Sequence, residues 1–199
     1  MATEKVTIVG FGTLLLQESL GDTIGDKKKF RPIVVKGYQR LFNLLPDHYR
    51  DYHPDRRLRQ DDSELGAANI RPAEGFQFNG LSFEADAANL AQLDARERYY
   101  ERAVVPHYDF YTGEDLGPCH VYASPVEARW LRHSTDELLP LWRDIVYARV
   151  GAYRIGAAFG QAYDQTTYLA DGKTLLVDYY KDHLVALEEL DTVRALYQK

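Results

Sequence analysis
The chain has 199 residues, 45% of them apolar and 27% charged, with a formal net charge of −6. That size predicts one domain with its own core. The acidic balance excludes a nucleic-acid binder, which must present a basic face to phosphate.

The one dense basic run, Arg56-Arg57-Leu58-Arg59, is followed at once by Asp61, Asp62 and Glu64, and reads as a solvated loop. Cys119 is the only cysteine, so no intrachain disulfide is possible and a reducing compartment is expected. Its setting, Gly117-Pro118-Cys119-His120-Val121, carries no thiol-enzyme motif. Met1 to Lys5 lacks a basic segment followed by an apolar one, so no signal peptide is read. No apolar run reaches the ~18 residues of a membrane span; the stretch from Ile145 to Phe159 comes nearest and contains Arg149 and Arg154. No membrane partner is expected, and the cytoplasm is the default location.

In chain order, Lys5 to Phe11 alternates two β-branched faces and predicts a first, buried strand. Gly12-Thr13 breaks it, and Leu14 to Leu20 begins a helical turn. Pro32 to Phe42 predicts a strand bent at Gly37. Pro46 to Glu64 is a long polar loop of the kind that serves as a lid. Gly66 to Ile70 and Phe76 to Glu84 predict two strands joined by a Pro72 to Gly75 turn. Asp86 to Ala95 predicts a helix with Leu90 and Leu93 inward. Arg102 to Phe110 and Cys119 to Ala123 predict a strand pair joined through Tyr111 to Gly117. Ser134 with Glu137 forms a capping-box pattern, predicting a long helical tract through Leu138, Leu141, Ile145, Val146 and Val150, interrupted at Gly151, Gly156 and Gly160. Asp182 to Leu196 predicts a last amphipathic helix. Strands first, then helices, is an α+β pattern.

Glu97 stands where the inserted helix meets the next strand, flanked by Tyr99 and Tyr100. Burial at such a junction lifts a glutamate from its unperturbed pKa of ~4.3 toward the ~6–7 of a proton shuttle. The bland alternative is a surface carboxylate paired with Arg98 or Arg102. Phe11-Gly12-Thr13-Leu14 is a small-residue turn whose N–H groups could cradle an anion or a developing oxyanion; plain strand-to-loop punctuation is the other reading. Leu15 stands where a dinucleotide fingerprint needs its third glycine, and no P-loop lysine follows. His48 and His53 lie among Asp47, Asp51 and Asp55 at no zinc spacing, so no metal site is read. Tyr100 and Tyr122 fall on strands that would flank Glu97, where pocket lining and core packing fit equally. Asp94, Glu101, Arg40 and Arg102 read as structural.

Phe11-Gly12-Thr13-Leu14 after the first strand resembles the Tyr-Gly-Ser-Leu turn of the gamma-glutamylcyclotransferase-like (AIG2-like) family. Leu93-Asp94-Ala95-Arg96-Glu97, then Tyr100-Glu101-Arg102 and Val104-Val105, resembles that family's Leu-Asp-x-x-Glu signature followed by Tyr-x-Arg and an apolar strand. Gly37-Tyr38-Gln39-Arg40 resembles its Gly-x-x-Arg strand, and the likeness runs over about residues 5 to 170 in preserved order.

The resemblance implies a single α+β domain over residues 1–199: a small mixed β-sheet or barrel with an inserted helix, and residues 134–199 as a helical C-terminal extension. It implies a transferase or lyase by bookkeeping, which cyclises a small-molecule γ-glutamyl substrate to 5-oxoproline and frees an amine. It implies no metal or organic cofactor. Glu97 would be the general acid/base, and Phe11, Gly12, Thr13 and Leu14 would grip the glutamyl group, with Tyr100 and Tyr122 as further substrate-binding candidates. Three departures stand out. Phe11 replaces Tyr, Thr13 replaces Ser, and Arg98 stands where many members have Gly; a cation there would favour the ionised form of Glu97. The Phe11 and Arg98 departures support a rival, a binding protein that keeps the pocket without the chemistry. A further alternative is a cyclotransferase acting on a γ-glutamylated lysine side chain, a polyamine or a secondary metabolite.

Overall fold
The computed structural model describes residues 5–25, 29–46 and 64–180. The expected Asp182 to Leu196 helix, the histidine cluster and the Arg56 to Arg59 run lie outside the described residues, as does the proposed lid except for its ends.

Among the described residues, seven strands form one sheet in the order β6-β3-β1-β5-β4-β2-β7, and an added β2–β3 pairing closes its middle five strands into a barrel. The strands are β1 (Val6–Gly10), β2 (Arg31–Leu44), β3 (Glu64–Ala85), β4 (Glu101–Asp109), β5 (Asp115–Ala123), β6 (Leu138–Pro140) and β7 (Thr167–Tyr168). The helices are α1 (Gln17–Ile24), α2 (Ala87–Arg96), α3 (Trp142–Ile155), α4 (Ala157–Gln165) and the short α5 (Leu176–Tyr179). A 3-10 turn, Thr13–Leu15, links β1 to α1. This is the mixed sheet or barrel with inserted and C-terminal helices that the sequence predicts.

β1 explains its own composition. It runs antiparallel to β3 and parallel to β5, so both of its edges are paired, and side chains pack over both of its faces. Ile8 packs with Leu14, Leu20, Ile24 and Leu93 beneath α1 and α2. Val9 packs on the opposite side, in the large cluster shared with Ile145, Val146 and Phe159 of α3 and α4. A strand buried twice has no room for a polar face, which is why its alternation is β-branched on both sides.

Two predicted elements come out differently. The two strands expected at Gly66–Ile70 and Phe76–Glu84 are one strand, β3, with no chain reversal between them. The segment between Pro72 and Gln77 is an outward bulge of β3 opposite Gly37 of β2, where register passes from Lys36↔Gln77 to Tyr38↔Pro72. Gly37 takes φ +78 there, a left-handed conformation that costs glycine little. Leu138 to Pro140, expected to open a helix, is strand β6 instead. Its buried Leu138 and Leu139 pair in parallel with Glu64 and Leu65, and the helix begins only at Trp142. α3 then lies against the 3-10 turn. A side chain at Gly151 would place its Cβ closer than 3.0 Å to the backbone of Leu15, so the close approach needs glycine.

Candidate active site
The inserted helix α2 is fixed at both ends. Asp86 caps its start by accepting from the backbone N–H of Asn89 at 2.9 Å. Glu97 is its C-cap, with its N–H donating to Leu93 O at 2.8 Å, and Tyr100 N–H donating back to Glu97 O at 2.9 Å. This tight turn leaves the helix exit facing the first turn of the chain.

A cavity of about 350 Å³ opens there. Glu97, Phe11, Gly12, Thr13, Leu14, Tyr100 and Tyr122, the site residues read from sequence, all line it. The Glu97 side chain is only 15% exposed. Burial pushes its carboxyl above the ordinary range; the Arg96 guanidinium pulls it down, and the negative charge of Asp144 pushes it up again. The net direction is upward.

The two tyrosines face the cavity with their hydroxyls already engaged. Tyr100 donates to Ala68 O at 2.6 Å and Tyr122 donates to Asp94 Oδ1 at 2.7 Å. Pocket lining and a satisfied hydroxyl, offered by the sequence as alternatives, therefore occur together. Asp94 also pairs with Arg102 at 3.2 Å, the structural role expected of both. Burial and the Asp94 carboxylate raise the Tyr122 phenol, so it stays a neutral donor.

The 11–14 turn is held from behind by Arg40, which is fully buried. Its Nη1 donates to Phe11 O at 3.3 Å and Asn79 O at 2.7 Å, its Nη2 to Asn79 Oδ1 at 3.0 Å and Tyr163 O at 3.2 Å, and its Nε to Thr167 Oγ1 at 2.9 Å. The guanidinium stacks 4.0 Å from the Tyr163 ring. The Phe11 ring turns into the core, edge-on to Phe78 at 5.5 Å. The position thus contributes apolar packing where a tyrosine would carry a hydroxyl.

The expected effect of Arg98 is corrected. Its side chain goes to Tyr99, donating to the hydroxyl at 3.2 Å and lying 5.0 Å from the ring centre. The cation on Glu97 is Arg96, with Nε 3.2 Å from Oε1. Sequence reasoning also passes over Arg143, Asp144 and Tyr147 of α3, which line the same cavity. Asp144, only 4% exposed in its side chain, accepts from Arg143 Nε at 3.0 Å and Nη2 at 2.9 Å. An acidic residue in a helix's first turn is ordinary, so no local signal marks this one as buried. The walls therefore hold two carboxylate–guanidinium pairs, Glu97 with Arg96 and Asp144 with Arg143.

Cys119 lies away from this cavity, buried, donating weakly to Val105 O at 3.4 Å, and burial pushes its thiol up to about 12. Among the described residues, no group of three or more His, Cys, Asp or Glu side chains is arranged to hold a metal, and no helix is long and apolar enough to cross a membrane.

No protein-family model and no curated protein matches the chain. Solved structures do. A human protein, uncharacterized protein loc79017, superposes with a TM-score of 0.60 at 16% identity, over 80% of this chain and 86% of that one. A gamma-glutamyl cyclotransferase superposes with a TM-score of 0.60 at 14% identity, over 96% of this chain and 99% of that one. YkqA from Bacillus subtilis superposes with a TM-score of 0.53 at 15% identity, over 80% of this chain and 53% of that one. At these identities the likeness is one of fold. The chain has the gamma-glutamyl cyclotransferase fold.

Proposed function
We propose that the protein is a γ-glutamyl cyclotransferase-type enzyme with Glu97 as its general acid/base. One observation carries the reading: a buried carboxylate with a raised pKa shares a small cavity with a backbone turn able to grip an anionic group. The fold likeness supports it.

The chemistry balances without any added reactant. The α-amine of a γ-glutamyl compound attacks its own γ-carbonyl, forming the lactam C–N bond as the bond to the leaving nitrogen breaks. One proton leaves the attacking amine and one reaches the departing amine. A carboxylate placed between them takes the first and gives the second, which demands a pKa near the working pH. Burial of Glu97 moves it that way. The backbone N–H groups of the Phe11 to Leu14 turn and the Thr13 hydroxyl are the donors offered to the glutamyl group or to the oxyanion formed on its carbonyl. Holding the substrate folded for attack supplies a large part of any rate gain. The buried, free Cys119 is compatible with a reducing, cytoplasmic setting.

The binding-protein rival draws on Phe11, since a hydroxyl is missing there. A pKa pushed upward at Glu97 favours catalysis over it. The test is 5-oxoproline release from a panel of γ-glutamyl amino acids, γ-glutamyl amines and glutathione, wild type beside Glu97→Gln. Product from the wild type alone is expected. No product from wild type, with the panel shown to bind, replaces the enzyme reading by the binding one. Equal product from both proteins removes Glu97 from the reaction.

A further inference from the structure
We propose that Arg96 is the positioning residue of this site, a single guanidinium that holds the Glu97 carboxylate and the Thr13 hydroxyl in fixed relation across the cavity. The inference rests on the reading of Glu97 as proton shuttle and of the 11–14 turn as the glutamyl cradle.

Arg96 is the last residue of α2. Its Nη1 donates to Ser19 O at 2.7 Å and to Thr23 Oγ1 at 2.7 Å. Its Nη2 donates to Thr13 Oγ1 at 3.0 Å and to Ser19 Oγ at 3.1 Å. Its Nε lies 3.2 Å from Glu97 Oε1. A guanidinium has five N–H donors in a rigid planar fork; its four Nη donors are taken by these hydroxyl and carbonyl oxygens, and its Nε lies in an ion pair with the Glu97 carboxylate. These partners come from three places in the chain: α1, the 3-10 turn and the α2 cap. The side chain is 24% exposed, so most of this bonding is shielded from water.

Three consequences follow for the reaction. First, with its four Nη donors taken and its Nε beside Glu97, Arg96 acts through its neighbours and not on substrate. Second, the Thr13 hydroxyl accepts from Arg96 and so keeps its own proton to donate elsewhere; the clamp sets which way that donor points. Third, a fixed cation beside Glu97 opposes the effect of burial. A carboxyl held permanently neutral could not take the first proton, so the shuttle needs this counter-charge. The other charged or titratable groups facing Glu97 in the cavity are Tyr99 and Tyr100 beside it, Tyr122 from β5, and Arg143, Asp144 and Tyr147 from α3. Only Arg96 is in an ion pair with it among the described residues. Lysine could supply the charge but not the fork, since a point charge on a flexible stem cannot span α1, Thr13 and Glu97 together.

The test titrates the Glu97 side-chain carboxyl carbon by NMR in the wild type, Arg96→Met, Arg96→Lys and Thr13→Val, with 5-oxoproline kinetics on the same samples. Arg96→Met is expected to raise the Glu97 midpoint by about one pH unit or more, carrying the acidic limb of the rate profile with it. Arg96→Lys is expected to restore most of the midpoint yet leave KM raised about tenfold. Thr13→Val should raise KM and leave the midpoint in place. An unmoved midpoint in Arg96→Met overturns the proposal, as does wild-type KM in Arg96→Lys. If Arg96→Met does not fold, the Arg96→Lys and Thr13→Val pair decides on the same criteria. Absence of 5-oxoproline from every protein refutes the enzyme reading instead, and the titration still decides the clamp.

Discussion
Replacing Arg40 with methionine isolates the anchor behind the 11–14 turn. Methionine matches the unbranched stem of arginine as far as Nε, so the change removes the charged fork while keeping the stem. Phe11 O, Asn79 O and Asn79 Oδ1 each lose a charged donor, Thr167 Oγ1 and Tyr163 O each lose a bond while keeping the one between them, and Thr166 Oγ1 loses its bond at 3.0 Å while keeping the one it donates to Ala162 O. Three buried acceptors at about 1–3 kcal/mol each give a gross loss of about 3–9 kcal/mol. Releasing the guanidinium from a fully buried position offsets part of that, because burial already drags its pKa down to about 10. A net loss of about 3–5 kcal/mol is expected, the range for breaking a buried charged network on one side. At roughly 2–4 °C per kcal/mol for a chain of this size, the melting temperature should fall by about 6–20 °C. Thermal melts followed by circular dichroism, with urea midpoints as a second readout, measure it at pH 7. If Arg40→Met lost less than about 1 kcal/mol, water or repacking would have satisfied those acceptors, and Arg40 would not be what holds the turn.

Glu97→Gln should gain stability while it loses activity. The carboxyl is raised above its ordinary 4.5, so the folded protein carries no penalty below that value and a growing one as pH rises through the folded pKa. The variant's advantage should therefore increase from acid toward neutral pH; a difference independent of pH refutes the raised pKa. Asp144→Asn removes a charge that pushes Glu97 up, so the acidic limb of the rate profile should move to lower pH, and a shift to higher pH contradicts the assignment. Gly151→Ala drives a methyl into the backbone of Leu15. A loss of about 1–3 kcal/mol is expected, read as a urea midpoint, and a neutral result shows that α3 can slide off the turn.

What could be read from the sequence was what neighbours along the chain determine. β1 and its breaking turn, the α2 helix and Glu97 at the helix exit all follow from periodicity and end signals within about a dozen residues. β6 escaped because a short apolar run before a helix fits either state until Glu64 and Leu65 are found beside it. β3 was divided because proline and glycine mark a turn locally, whereas pairing with β2 on both sides of Gly37 carries the strand past them. The charge environment of Glu97 was the least legible. Arg96 and Arg98 flank it equally in sequence, and no local rule chooses between them. Arg96 turns inward because its acceptors, Thr13, Ser19 and Thr23, lie 73–83 residues away in the chain, while Arg98 is drawn off by the Tyr99 ring. Asp144 reaches the same cavity only because α3 packs against the first turn. The sequence by itself determined which residue types stand at the turn and the helix exit. The tertiary structure alone decided their charges and partners, because desolvation and ion pairing depend on what the fold brings within a few ångströms, not on what is adjacent in the chain.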